Sequence, residues 1–149
     1  MPSIGRRNAA GIASRDEMKT VVVTAALITE QGKILVTQRK KDSPHALLWE
    51  FPGGKVKEGE EPREALRREL MEELDVEVEV GMIFDAVFYS YPEYPILLLV
   101  YRCQIDKDSL KPLGCHDFRW VHLKELEELP MPPADDAIRR HLGYLEKLS

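Results

Sequence analysis

Between Pro52 and Val76 the chain reads PGGKVKEGEEPREALRRELMEELDV, and this stretch constrains the fold more than any other. Two glycines follow Pro52, and strong helix formers dominate from about Pro62. Pro62 suits the first turn of a helix, where no amide donor is needed. Leu66, Leu70 and Leu74 recur every fourth residue and form one apolar stripe. Beside the stripe, Glu69, Glu72 and Glu73 fall within an arc of about 100° of the helix surface. Arg68 is spaced to pair with Glu72. At the same spacings Glu69 meets only Ala65, Leu66, Glu72 and Glu73, and Glu73 meets only Glu69, Leu70, Val76 and Glu77. Like charges so placed cost a helix roughly 0.2–0.5 kcal/mol per pair. A solvated acidic face is the ordinary reading of such a helix. The Gly-Gly turn and the unpaired Glu69–Glu73 ladder point instead to a hard divalent cation, which prefers several carboxylate oxygens.

The spacing is specific. Gly54, five residues, Glu60, seven residues, Arg68-Glu69-Leu70, Met71, Glu72-Glu73, Leu74, Asp75 and Val76 together resemble the Nudix box. Asp75 departs from the glycine usual at that position, where φ > 0 is favoured; Asp tolerates that region better than most residues.

Net charge is −5, and residues 57 to 77 alone carry nine acidic and four basic side chains. The rest of the chain is therefore neutral overall, which argues against duplex nucleic acid as a ligand. The 149 residues suit a single domain. Two cysteines, Cys103 and Cys115, lack metal-site spacing and suggest a reducing, cytoplasmic setting. The longest apolar run, Ile96 to Tyr101, is strand-sized, so no membrane span is expected.

Residues 1–17 are polar and without periodicity, and are expected to form a flexible extension before a domain over 18–149. Strands are expected over Thr20–Leu27, Lys33–Arg39, Val76–Val80, Met82–Tyr89, Ile96–Gln104 and Asp117–His122. Gln31-Gly32 reads as a turn, Lys40–Leu48 as a polar loop and Leu123–Leu129 as a short helix or turn. Pro132-Pro133 should stop that element. A closing helix over Ala134–Leu145 should bury Ala137, Ile138, Leu142 and Leu145. Strands, helix, strands, helix give a mixed sheet between helices, an α+β or α/β sandwich. The resemblance implies an α/β/α sandwich from about Met18 onward.

It also implies hydrolysis of a nucleoside diphosphate linked to another group. Glu69, Glu72 and Glu73 are then ligands to Mg2+ (or Mn2+), with the Gly53 carbonyl as a further ligand. One of the glutamates is a candidate general base. Arg68 would orient a glutamate, Glu72 foremost, and Glu60 would stand behind the ligands. His116 and Asp117 are alternative loop bases, or simply a strand-flanking His and a loop acid. Leu48 to Lys55 is similar to the approach to the box in MutT-type enzymes. Within that resemblance Arg39 reaches phosphate or base, Tyr91 stacks on the base and Asp135 reads the base edge. Each has an ordinary alternative: a solvated strand-end charge, a loop aromatic covering the sheet, and a helix cap. Ionised Asp135 suits an exocyclic amine such as cytosine N4, and protonated Asp135 a keto oxygen. The expected activity is a nucleoside triphosphate pyrophosphohydrolase acting on cytosine nucleotides or, in nucleotide-pool sanitation, on 8-oxo-dGTP. The alternatives are a non-catalytic nucleotide-binding module and a hydrolase of another nucleoside diphosphate derivative. The expected partner is a small-molecule nucleotide, bound by a monomer or homodimer.

Overall fold

A computed structural model of the chain describes residues 18–148. The expected extension over 1–17 lies outside them. Seven strands form one mixed sheet: β1 (Val21–Glu30), β2 (Lys33–Gln38), β3 (Trp49–Glu50), β4 (Gly53–Lys55), β5 (Val78–Ser90), β6 (Pro95–Ile105) and β7 (Asp117–His122). Among the described residues three α-helices complete it: α1 (Pro62–Leu74), α2 (Leu123–Leu126) and α3 (Pro133–Leu148). The sheet order is β3-β2-β1-β6-β5, with β4 added on β1 and β7 on β2. Only β1 and β6 run parallel.

The central strand explains the layering. Thr24 to Ile28 are all buried, because successive side chains serve opposite faces. Ala25 and Leu27 join a core with Ala134 and Ile138 of α3. Ala26 and Ile28 join a second core with Leu66, Leu70 and Leu74 of α1. The leucine stripe is therefore one wall of an α/β/α sandwich, as expected. Among the described residues no helix is long and apolar enough to cross a membrane.

α1 begins and ends as its sequence directs. Pro62 occupies its first turn, and the Glu61 side chain accepts from the Glu64 amide at 3.2 Å. Asp75 closes it in the left-handed region (φ 54°), its amide donating to the Met71 carbonyl at 3.1 Å.

Several expectations are corrected. The Gly-Gly turn is in fact the short strand β4, in register with Ala25 to Val23 of β1. The two strands expected over 76–89 are one strand, β5, with register irregularities between Val80 and Asp85. Glycine 81 and the bulge look like a break in sequence, but the pairing with β6 continues across them. α3 starts at Pro133, where a proline needs no amide donor. Its core face runs Ala134, Ile138, Leu142, while Leu145 is exposed and Ala137 only half-buried.

Candidate active site

The local fold brings the glutamate helix against a backbone without side chains. A Cβ on Gly53 would sit 2.0 Å from the Thr24 carbonyl oxygen, and one on Gly54 would sit 2.3 Å from the Glu69 carboxyl carbon. Glycine at both positions lets β4 fit between β1 and α1. It also lets the Glu69 carboxylate lie on the strand. A cavity of about 560 Å3 opens there, lined by Gly53, Gly54, Glu69 and Glu73 together with Tyr91 and Asp135.

Outside this cavity a compact ionic network holds the box together. Arg68 grips Glu60 with two parallel bonds of 2.9 Å each, bonds Glu69 at 2.9 Å and donates to the Lys55 carbonyl at 3.0 Å. It meets Glu72 only at 3.4 Å. Arg68 therefore reaches Glu72, as the i,i+4 spacing predicts, but holds Glu60 and Glu69 more closely. The i,i+4 rule overlooked the adjacent Glu69 and the loop residue Glu60. The guanidinium bonds, with the Lys57 amide at 3.0 Å, bring the Glu60 carboxyl down to about 2.

The inward side is different. Burial raises Glu73 well above the ordinary carboxylate range, and the charges of Glu50 and Glu69 add to it. The Glu73 Oε2 atom is buried and has no hydrogen-bond partner. Burial also raises Glu69, against the pull of Arg68. An orphaned carboxylate oxygen among like charges is the environment a hard cation relieves. Among the described residues no three acidic, His or Cys side chains converge into a ready cage. Mg2+ does not need one, because it keeps waters and takes one or two carboxylates plus substrate phosphate oxygens. The donor set fits such an ion. Glu72 is mostly exposed and does not line the cavity.

Glu50 is the site residue that sequence reasoning missed. It pairs with Arg39 at 3.0 Å, and burial outweighs that pairing to raise its pKa. Its signal was present: a lone acid between Trp49 and Phe51, both of which enter the core. Arg39 is no solvated charge, since its Nε also donates to the Pro44 carbonyl at 2.6 Å. His45, likewise unforeseen, lines the cavity with its ring centroid 5.4 Å from that of Tyr91.

Tyr91 contacts Tyr89 at 4.6 Å between ring centroids, and its hydroxyl accepts from the Ala134 amide at 3.2 Å. Asp135 lies inside α3 and is not its cap. Its Oδ1 accepts from the Phe51 amide at 3.1 Å. Burial, helped by the Glu50 charge, raises its pKa well above the ordinary value. His116 and Asp117 are exposed and line no part of the cavity. Asp117 instead accepts from the Phe118 amide at 2.8 Å. Their loop does reach Glu73, through Gly114 and Cys115.

The family described as NUDIX domain matches residues 18–142. The chain is 55% identical over 121 residues to the CTP pyrophosphohydrolase of Escherichia coli (strain K12), covering 79% of this chain and 87% of that protein. It is 30% identical over 131 residues to the 8-oxo-dGTP diphosphatase of the same organism, covering 86% and 100%. The solution structure of the E. coli ORF135 protein superposes with a TM-score of 0.77 at 34% identity, covering 88% of this chain and 94% of that one. The crystal structure of the MutT protein from Methanosarcina mazei Go1 gives 0.78 at 26% identity, covering 88% and 98%.

Proposed function

The chain belongs to the Nudix family, and on that premise we propose that it is a Mg2+-dependent hydrolase converting a nucleoside triphosphate to its monophosphate and pyrophosphate. One observation carries this reading. One cavity is lined both by Glu73, whose Oε2 is buried without a partner, and by an aromatic ring and a buried carboxyl group, Tyr91 and Asp135.

Glu69, Glu73 and the Gly53 carbonyl would hold the metal, with Glu72 as a further carboxylate from the exposed side, and the ion would supply charge neutralisation at phosphate and activation of water. Arg68, fixed by Glu60, holds Glu69 in place. Arg39, steadied by Glu50, meets a phosphate oxygen. Tyr91 supplies the stacking face for the base. The two cysteines are free thiols, in keeping with a cytoplasmic enzyme.

A cytosine nucleotide is the first substrate reading. It is supported by the 55% identity to a CTP pyrophosphohydrolase and by an acceptor, Asp135, for the N4 amine. The second is 8-oxo-dGTP, favoured by the burial of Asp135: a neutral carboxyl group can donate to a keto oxygen. Pyrophosphate release with Mg2+ from CTP, dCTP, dGTP, 8-oxo-dGTP, ADP-ribose and a diadenosine polyphosphate tests both. Cytosine nucleotides should lead. A lead for 8-oxo-dGTP selects the second reading, and nucleotide binding without any turnover refutes catalysis.

A further inference from the structure

The loop between β2 and β3 carries backbone strain that an exposed connection does not need. His45 (φ 56°) and Leu47 (φ 61°) both lie in the left-handed region, which suits glycine and penalises a side chain. Hydrogen bonds hold them there. The Leu47 amide donates to the Arg39 carbonyl at 3.1 Å, and the Leu48 amide donates to the His45 carbonyl at 3.1 Å. Gln38 donates from Nε2 to the Leu47 carbonyl at 3.1 Å. Arg39 donates from Nε to the carbonyl of Pro44, the residue before His45, at 2.6 Å. The backbone is thus anchored to the end of β2, while the His45 side chain is exposed. Among the described residues its imidazole makes no hydrogen bond, and its one ring neighbour is Tyr91. A strained residue that its surroundings keep in place is a feature of ligand-binding sites.

We propose that His45 is a base-binding residue, and that the nucleotide base lies between its imidazole and the Tyr91 ring. The proposal rests on the triphosphate hydrolase reading and names a second aromatic wall for the same site. Both residues line the large cavity. Their ring centroids are 5.4 Å apart and the planes are tilted by 57°, so the rings touch and leave no slot between them. A base takes about 3.5 Å on each face, so rings that enclose it stand about 7 Å apart. An exposed imidazole reaches that separation by changing rotamer, and the anchored backbone need not move. The ring that now lies against Tyr91 then covers the far face of the base. Tyr91 keeps its other ring neighbour, Tyr89, at 4.6 Å. An aromatic face accepts any base, so His45 adds affinity, and the choice of base stays with groups that meet its edge. A purely structural role predicts the reverse of what is found. Glycine would hold the same backbone with less strain, so what His45 adds is its ring.

Calorimetric titration combined with thermal melting tests this. Cytidine monophosphate, 8-oxo-dGMP and, separately, pyrophosphate with Mg2+ are titrated into the wild type, His45→Ala, His45→Gly and His45→Phe. His45→Ala and His45→Gly should weaken whichever monophosphate the wild type binds about tenfold, within the range of one lost base–aromatic stack, and leave pyrophosphate unchanged. His45→Phe should restore most of that affinity, because a phenyl ring offers the same face. His45→Gly should melt at the wild-type temperature or above it, since glycine relieves the left-handed φ. Unchanged monophosphate affinity in His45→Ala overturns the proposal. So does equal weakening of pyrophosphate, a loss that His45→Phe does not restore, or a wild type that binds neither monophosphate. A His45→Gly protein that melts several degrees lower makes His45 a support of the loop and overturns it as well. Absence of turnover with every nucleotide tested above overturns the hydrolase reading instead, so the two failures are distinguishable.

Discussion

The glutamates of α1 and its approach divide into two environments only a few ångströms apart. On the outer side, Glu60 receives two bonds from Arg68, and the same guanidinium serves Glu69 and, more loosely, Glu72. Each of these carboxylates has the guanidinium as a partner, and all keep some contact with water. On the inner side, Glu73, Glu50 and Asp135 have fewer donors than their charges need, and burial pushes all three pKa values up. Glu69 belongs to both, bonded to Arg68 on one flank and lining the cavity on the other. The outer arrangement contributes stability and orientation. The inner one disfavours the charged form of each carboxyl group, which a bound cation would offset, and carboxyl groups perturbed in this way are a mark of a working site.

The largest test of this contrast is Glu73→Gln. Turnover should fall at least a hundredfold, on the order of a lost metal ligand or general base. Stability should not fall with it. A carboxyl group whose folded pKa is raised contributes no penalty below its unfolded pKa of about 4.5 and an increasing penalty as pH rises above it. The metal-free variant at pH 7 should therefore melt at the same temperature as the wild type or higher. Mg2+ should raise the wild-type melting temperature and leave that of the variant where it was. A metal-free Glu73→Gln protein that melts several degrees lower would place Glu73 with the structural charges and erase the distinction.

This division was only partly legible in the sequence. The helix, its leucine stripe and its proline start follow from local rules, and the ends of β7 fall where they were expected. Glu69 and Glu73 stood out because the i,i+3 and i,i+4 positions offer neither a basic partner, although the adjacent Arg68 does bond Glu69. The pair of Arg68 with Glu72 was legible, but its closer partner Glu60 was not, because Glu60 reaches it from a loop eight residues earlier and no helical spacing rule covers that distance. Glu50 escaped notice because it pairs with Arg39 eleven residues away, across the loop between β2 and β3. The bond from Phe51 to Asp135 spans 84 residues and exists only because α3 shares one core with Trp49 and Phe51. Local order could be read from the chain; the convergence of the inner carboxyl groups depends on sheet order.

Asp135→Asn is the next test, and it sharpens the inner side of the comparison. The side-chain oxygen of Asn can keep the Phe51 bond, which leaves its NH2 group facing the base. That group donates where a cytosine N4 amine also donates. The kcat/KM for cytosine nucleotides should drop about tenfold or more, within the range of one lost base contact. The value for 8-oxo-dGTP should hold, because a keto oxygen accepts from the same NH2. Equal kinetics for wild type and variant on both nucleotides would remove Asp135 from base recognition. The carboxyl group would then be only a structural partner of Phe51.

The smallest effect belongs to the outer side and is read by pH. The Arg68 guanidinium holds Glu60 at about 2 against an ordinary 4.5. A depressed carboxyl pKa gives stability that is complete above the unfolded value and is lost as pH falls through the folded one. Wild type and Glu60→Gln should therefore differ in melting temperature by a few degrees at most near pH 6. The gap should shrink steadily between about pH 4.5 and 2. Added salt should narrow it further, because a pair that keeps some contact with water is partly screened. The inner carboxyl groups titrate with the opposite sign, so Glu73→Gln and Glu60→Gln should diverge from the wild type in opposite directions as pH rises from 4 to 7. Curves that run parallel would mean that the two glutamates share one environment, and the separation between a stabilising outer network and a strained inner site would fail.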